Sequence, residues 1–156
     1  MDLSFWSGRF LKINVMSVIR KDFPDIVREI LTDVAIASHP SAMTAFLSVK
    51  ALWDTGATFS VISRDKVAEL GLVPVDFSQA YTANGWYETP VYRIDLFLPN
   101  GPLIKGLRVS QSDLMVCDML IGMDVISLGD LHLTNNGKTV FKFAIPPESN
   151  KDDQAP

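Results

Sequence analysis

The sequence predicts an all-β domain with a closed, barrel-like sheet and one or two short helices. Three observations support this fold class. Apolar and polar residues alternate with a period of two in the middle of the chain, turn residues separate short apolar runs, and few segments carry helix signals. A chain with about eight short strands and few helices is expected to bury its core between sheet faces or inside a barrel.

The beginning of the chain is the hardest part to assign. We expect residues 1–28 to form an N-terminal extension of uncertain structure, in which apolar runs such as Phe5-Trp6 fit an added strand, an amphipathic arm or a wrongly assigned start. Pro24 can begin a short helix, but the residues from Ile30 to Ile36 also suit a strand, so both alternatives stay open. His39-Pro40-Ser41 then indicates a turn.

The next predicted strand runs from Thr44 to Trp53 and delivers an acid, Asp54. A second apolar run, Phe59-Ser60-Val61-Ile62, follows shortly afterwards. Because apolar segments lie on both sides, Asp54 is expected on a buried loop, where a carboxylate is placed to react. Asp-Thr-Gly alone is also an ordinary turn tripeptide, so the motif needs a second signal.

A short helix is predicted after this loop. Ser63 can cap the helix, Val67 and Leu70 share one face, and Gly71 can end it.

The middle of the chain is predicted to form a hairpin. Residues 79–83 and 86–98 flank Asn84-Gly85, a dipeptide that readily adopts positive φ in a two-residue turn. Pro99-Asn100-Gly101 predicts the next turn, and Leu103 to Val109 the strand after it.

The last predicted hairpin spans Leu131 to Phe143 around Asn135-Asn136-Gly137. We therefore expect the main domain to occupy residues 29–145. Residues 146–156 are expected to form a disordered tail, because they are polar and without pattern.

Composition excludes several functional classes. The 156 residues are 47% hydrophobic, enough for one core and too few for two full domains. A net charge of −4 gives no reason to expect nucleic acid or an anionic membrane as a partner, and charged residues interrupt every apolar run that could span a membrane. The N-terminus lacks the pattern of a secretory signal.

Cysteine and histidine are too few for a metal or disulfide site. Cys117 is the only cysteine and is expected to be a small buried hydrophobe, so the cytoplasm is the expected location. His39 and His132 do not form a metal-ligand cluster with it and are expected on the surface or in turns. No nucleotide fingerprint is present, and no metal or cofactor is expected.

A second motif gives Asp54 its significance. Leu120-Ile121-Gly122 places two large apolar residues before a glycine, well downstream of Asp54-Thr55-Gly56-Ala57. This pair of motifs, with a hairpin between them, resembles the retropepsin-like aspartic proteases, especially small bacterial single-domain members. The resemblance covers about residues 45–143 and implies the acid-protease fold.

The resemblance implies an endopeptidase that acts as a homodimer on a polypeptide substrate. Hydrolysis needs two carboxylates that share a proton, and the chain contains a single Asp-Thr-Gly, so each of two chains would supply Asp54 as the catalytic residue. Gly56 would let backbone N–H groups approach the carboxylates, and the Thr55 hydroxyl would bond to the partner loop. Ala57 matches the retroviral type, which implies a milder pH optimum than that of pepsin-type enzymes.

The remaining positions follow by the same resemblance. Leu120, Ile121 and Gly122 would pack behind the catalytic loop as structural support. The hairpin turn at Asn84 and Gly85 would be a flap that closes over substrate, with Trp86 and Tyr87 lining the subsites, although an ordinary exposed hairpin fits the same pattern.

One feature departs from the family. Met123 and Thr58 occupy the positions where retroviral enzymes place an Arg and an acid that form an ion pair. Asp124 can brace the loop by hydrogen bonds, or it can be an acid at a helix N-terminus. Two alternatives to a general endopeptidase stay open: a catalytically inactive dimer that serves as a peptide-binding or scaffold module, and a processing protease for one partner protein.

Overall fold

A computed structural model describes residues 16–41 and 45–146, and the predictions for residues 1–15 and 147–156 lie outside these ranges. The described chain contains ten strands and two short helices, which confirms the predicted all-β class. The strands are β1 (Ser17–Asp22), β2 (Leu31–Ser38), β3 (Leu47–Trp53), β4 (Val61–Ser63), β5 (Asp76–Thr82), β6 (Gly85–Phe97), β7 (Leu103–Ser112), β8 (Met119–Ile121), β9 (Asp130–Thr134) and β10 (Val140–Ile145). The helices are α1 (Arg64–Glu69) and α2 (Met123–Ile126).

Seven strands form the main sheet, in the order β2-β3-β8-β4-β7-β6-β5. Strand β2 also pairs with β6, so the pairings of six strands form a continuous ring. Strand β5 lies outside this ring and pairs with β6 alone. The ring therefore supports the centre of the domain, whereas β5 is an edge strand of the described sheet.

A second sheet has three strands in the order β1-β10-β9. Phe141 and Phe143 of β10 are fully buried and contact the ring of Trp53 at the end of β3, with centroid separations of 5.0 and 4.9 Å. The small sheet thus packs behind the strand that leads to Asp54. Strand β1 lies within the predicted N-terminal extension and pairs with β10 along its whole length.

Of the two predicted helix starts, the one at Ser63 is confirmed and the one at Pro24 is not. Ser63 caps α1 by accepting a hydrogen bond from the Lys66 N–H, and Gly71 has φ +60° just after the helix, as predicted. The segment after Pro24 begins no helix, and the alternative strand forms instead as β2. Neither helix of the described ranges has the length needed to cross a membrane.

The turn of the β5–β6 hairpin lies one residue earlier than predicted. Thr82 pairs with Gly85, so Ala83 and Asn84 form the loop. Of the predicted pair, Gly85 alone has positive φ, at +116°, and it is the first residue of β6. The prediction was wrong by one residue. A loop of Ala83-Asn84 and a loop of Asn84-Gly85 both place a residue that tolerates positive φ near the tip, so the sequence does not distinguish them.

Candidate active site

Asp54 lies directly after β3, beside the end of β8. The two strands are parallel, with Trp53 opposite Ile121, and the Asp54 N–H donates to the Ile121 carbonyl at 2.9 Å. The loops that follow the two strands therefore leave the sheet at the same end. This pairing brings the two sequence motifs together, as the resemblance implied.

The Asp54 carboxylate has a local hydrogen-bond partner. Its Oδ1 accepts the Gly56 N–H at 2.8 Å, and its backbone carbonyl accepts the Ala57 N–H at 3.2 Å. The sequence had suggested a buried loop, and this prediction was wrong. In the single chain, Asp54 is half-buried, and Thr55 and Gly56 are exposed. The apolar neighbours bury the strands on either side and leave the loop at the surface.

Thr55 and Ala57 differ in their contacts. The Thr55 side chain makes no hydrogen bond with any other described residue, so its hydroxyl is available to a second molecule. Ala57 belongs to the support of the loop, because its carbonyl accepts the Met123 N–H at 2.8 Å. Beside it, the Thr58 carbonyl accepts the Asp124 N–H at 3.2 Å.

The second motif provides the backing of the loop. Leu120 and Ile121 belong to β8, which lies between β3 and β4. A Cβ atom at Gly122 would lie 2.7 Å from the carbonyl carbon of Phe59 and 2.8 Å from the Ala57 oxygen. Since real Cβ atoms do not approach backbone this closely, the two loops can meet only over a glycine.

Ser60 and Asp124 join the two loops from behind, and we call this pair the Ser60–Asp124 clamp. Asp124 Oδ2 accepts the Ser60 N–H at 2.9 Å, and Oδ1 accepts the Ser60 hydroxyl at 2.7 Å. Ser60 Oγ in turn accepts the Gly122 N–H at 3.1 Å, and Ser60 is fully buried. Asp124 also lies in the first turn of α2, so both sequence interpretations of this acid are correct.

Sequence reasoning missed Ser60. A polar residue within the apolar run of residues 59–62 was the available signal, because a hydroxyl in such a position needs a partner when it is buried.

Trp53 anchors the strand beneath Asp54. Its indole N–H donates to the Thr32 hydroxyl at 2.9 Å, and its backbone N–H donates to the Ile30 carbonyl at 3.0 Å. Together with the contacts to Phe141 and Phe143, these bonds fix the residue that precedes the acid.

The β5–β6 hairpin carries the predicted flap residues Asn84, Gly85, Trp86 and Tyr87, all of which are exposed. Successive residues of a strand point to opposite faces, so Trp86 and Tyr87 do not line the same surface. Tyr87 shares its face with Thr89 and Val91, which are buried. Trp86 is on the outer face, directly opposite Tyr81 of β5, which is also exposed.

The other acids and the histidines lie in separate places. Asp118 Oδ2 accepts the Lys50 N–H at 2.8 Å at the far end of β8, and Asp113 forms an exposed ion pair with Arg64. His132 is exposed, and Cys117 is buried and free. None of these side chains forms a hydrogen bond or ion pair with Asp54 in the described parts of the chain.

His39 has a partner that the sequence did not reveal. Its Nδ1 lies 2.7 Å from Oδ1 of Asp95, a buried acid in β6 that also accepts the N–H groups of Gly106 and Ser41. Burial opposes the charge of Asp95, but these hydrogen bonds outweigh it and hold the pKa of the carboxyl below its ordinary value.

Comparisons with known proteins agree with this geometry. A family model described as gag-polyprotein putative aspartyl protease matches residues 46–128, which is more than half of the chain. No curated protein matches the chain. The matched range contains both motifs, the Ser60–Asp124 clamp and the hairpin.

Several solved structures are also similar. A retropepsin-like aspartic protease from Rickettsia conorii matches with a TM-score of 0.56 and 14% identity over 84% of this chain and 96% of that chain. The EIAV protease in complex with the inhibitor HBY-793 matches with a TM-score of 0.46 and 22% identity, over 64% and 86%. The retroviral protease-like domain of Ddi1 from Leishmania major matches with a TM-score of 0.44 and 18% identity, over 71% and 93%. The Rickettsia structure shows the shared fold, and the predicted resemblance is confirmed.

Proposed function

Because the chain belongs to the gag-polyprotein putative aspartyl protease family, we propose that it is an aspartic endopeptidase completed by a second copy of itself. In this proposal, Asp54 of each chain supplies one carboxylate of a catalytic pair. The substrate is an extended polypeptide bound between the loops that carry the two acids and the β5–β6 hairpins.

The exposure of the Asp54 loop is the observation that carries the proposal. Asp54 is held by backbone hydrogen bonds at the end of β3, while the adjacent Thr55 and Gly56 face solvent. A loop whose position is fixed and whose outer surface is open is suited to meet an identical loop across a two-fold axis. One carboxylate alone would not provide both the acid and the base that amide hydrolysis requires.

The chemistry follows from two carboxylates at close range. Two carboxyl groups about 3 Å apart cannot both be ionised, because their negative charges repel each other, so the pair holds one proton. The ionised carboxylate takes a proton from a bound water as the water oxygen forms a bond to the substrate carbonyl carbon, and the protonated carboxylate donates a hydrogen bond to the carbonyl oxygen. When the C–N bond breaks, the leaving nitrogen receives a proton from the pair.

The hairpin is assigned the role of a flap in this proposal. Strand β5 has one strand partner among the described residues, so the hairpin can move with less loss of hydrogen bonding than a strand inside the ring. Tyr87 is the residue assigned to substrate contact, since its face is continuous with the buried face of β6. Trp86 is assigned to the outer surface.

The direct test replaces Asp54 with Asn and measures cleavage of denatured casein alongside sedimentation. We expect cleavage to fall by at least about a thousandfold, because the water loses its base, while the mass of the assembled particle stays the same. Asp113→Asn is the matched control, since it removes an exposed acid that pairs with Arg64. A statine-type transition-state mimic should inhibit the unmodified protein.

Other outcomes separate the alternatives. A dimer that fails to cleave any polypeptide, with or without Asp54, would support the scaffold function. Cleavage by a stable monomer would contradict the proposal, as would activity that survives the loss of Asp54.

A further inference from the structure

The Ser60–Asp124 clamp connects two segments that hold Asp54 in independent ways. On one side, Gly122 follows Ile121, whose carbonyl accepts the Asp54 N–H. On the other side, Ala57 donates to the Asp54 carbonyl and accepts from Met123, the residue before Asp124. Every one of these contacts lies within a single chain.

We propose that Asp124 is a positioning residue that fixes the Asp54 loop within each chain, before a second chain is added. The proposal rests on the function proposed above and adds a role for a second acid. It also accounts for the missing ion pair of Met123 and Thr58, because hydrogen bonds connect the same two segments through Asp124, one residue after Met123, and Ser60, two residues after Thr58.

The chemistry of this position favours an ionised carboxylate. Three donors converge on Asp124: the N–H and the hydroxyl of Ser60 and the N–H of Val125, the last at 3.0 Å from Oδ1. A carboxylate accepts all three, whereas an asparagine keeps one acceptor oxygen and turns an NH2 donor towards at least one of these donors. Bonds to a charged acceptor are also roughly twice as strong as neutral ones. The clamp is therefore expected to weaken on substitution with Asn, although the side-chain shape is kept.

Asp118 provides a matched control at the opposite end of the same strand pair. It also lies beside β8 and accepts a backbone N–H, that of Lys50 in β3, at 2.8 Å. Asp118→Asn therefore weakens one charge-assisted bond between β3 and the start of β8 without touching the Asp54 loop. Any effect shared by the two variants reports a general loss of stability.

The test combines two measurements on the full-length protein. Amide hydrogen exchange of Gly56 and Ala57 reports the order of the loop, and kinetics with a fluorogenic peptide selected from a cleavage library report catalysis. We expect Asp124→Asn to accelerate exchange at both amides by about tenfold or more, because the loss of charge-assisted bonds lowers the free energy of local opening. We expect kcat to fall by a similar factor with little change in KM, and Asp118→Asn to change neither.

A double-mutant cycle tests whether Ser60 and Asp124 act as one unit. Ser60→Ala removes the hydroxyl and keeps the Ser60 N–H, so it tests the clamp by a milder change. The double variant should be no more impaired than the more severe single variant. Additive effects on kcat, or equal exchange in the Asp118 and Asp124 variants, would overturn the proposal.

The exchange measurement distinguishes this inference from the proposed function. If the protein cleaves no peptide, the function fails, and faster exchange in the Asp124 variant still supports the clamp. If cleavage depends on Asp54 but neither loop exchange nor kcat responds to Asp124, the inference fails and the function stands.

Discussion

The Asp54 loop and the β5–β6 hairpin are built in opposite ways, although both are exposed. The loop is short and is held by hydrogen bonds from residues more than 60 positions away, including those of Asp124 and Gly122. The hairpin is long, and β5 is held by its immediate neighbour β6. Exposure alone therefore does not indicate mobility. A backbone segment opens less easily when several separate parts of the chain form hydrogen bonds with it.

The largest expected effect comes from replacing tryptophan with alanine in each region. Trp53 is 7% exposed and packs on Phe141 and Phe143, so Trp53→Ala should lower the free energy of unfolding by about 3–5 kcal/mol. Trp86 is 62% exposed, and Trp86→Ala should change the free energy of unfolding by less than about 0.5 kcal/mol. Urea denaturation of both variants checks the difference, and similar losses would show that the comparison is wrong.

Glycine substitutions provide the next test. Gly122→Ala would press a methyl group against the backbone of Phe59 and Ala57, which is expected to destabilise the protein by about 1–3 kcal/mol. It should also reduce cleavage, since the Asp54 loop must shift. Gly85→Ala strains a residue at φ +116°, but no atom lies within 4 Å and the edge hairpin can adjust. Thermal unfolding should show the smaller loss for Gly85→Ala, and the reverse order would contradict the different support of the two regions.

Low pH should destabilise the protein through Asp95, which lies in β6 at the end far from the hairpin tip. The pKa of Asp95 is lowered in the folded state, so its contribution to stability is present above its ordinary pKa of about 3.9 and is lost as pH falls towards the folded value. Asp95→Asn should therefore lower stability at neutral pH and flatten the decline of stability below about pH 4. Denaturant unfolding at a series of pH values measures both slopes. Parallel slopes in the two proteins would exclude this role for Asp95.

The smallest effects on stability are expected for the two aromatic residues of the hairpin, and their effects on cleavage should distinguish its two faces. Tyr87→Ala and Trp86→Ala should each leave the free energy of unfolding within about 0.5 kcal/mol, because both side chains are exposed. Tyr87→Ala should nevertheless raise KM or alter the residues preferred around the cleaved bond, whereas Trp86→Ala should do neither. Cleavage-site profiling with a peptide library compares the two. Equal effects would indicate that the hairpin does not present its inner face to substrate.

The sequence was most informative where chemistry and local pattern coincide. Asp54 and Gly122 could be found because an acid or a glycine interrupts an apolar run, and the strands follow from alternation. Asp124 was correctly expected to brace the loop or to lie at a helix N-terminus, but its partner Ser60 was missed, because a serine in an apolar run has several explanations. The contact between Ser60 and Asp124 depends on the parallel pairing of β3 with β8, which joins distant parts of the chain, so the local sequence could indicate that Ser60 needs a partner but not which residue it is.

Two errors have different origins. The loop of Asp54 was expected to be buried because its neighbours are apolar, but strands on either side can be buried while the connection stays exposed. The position of the turn itself was not readable to one residue, because Asn84 and Gly85 both suit the tip.

The placement of Trp53 and Trp86 provides each region with its own optical reporter. Indole emission shifts with the polarity of its surroundings, so the indole beneath Asp54 and the indole on the outer face of the hairpin should emit at different wavelengths. Because Trp6 is the third tryptophan of the sequence, a protein with Trp6→Phe and Trp86→Phe would retain Trp53 as its single indole, which reports on the base of the Asp54 loop. The proposed closure over a peptide and the proposed assembly of two chains could then be followed separately, without any attached dye.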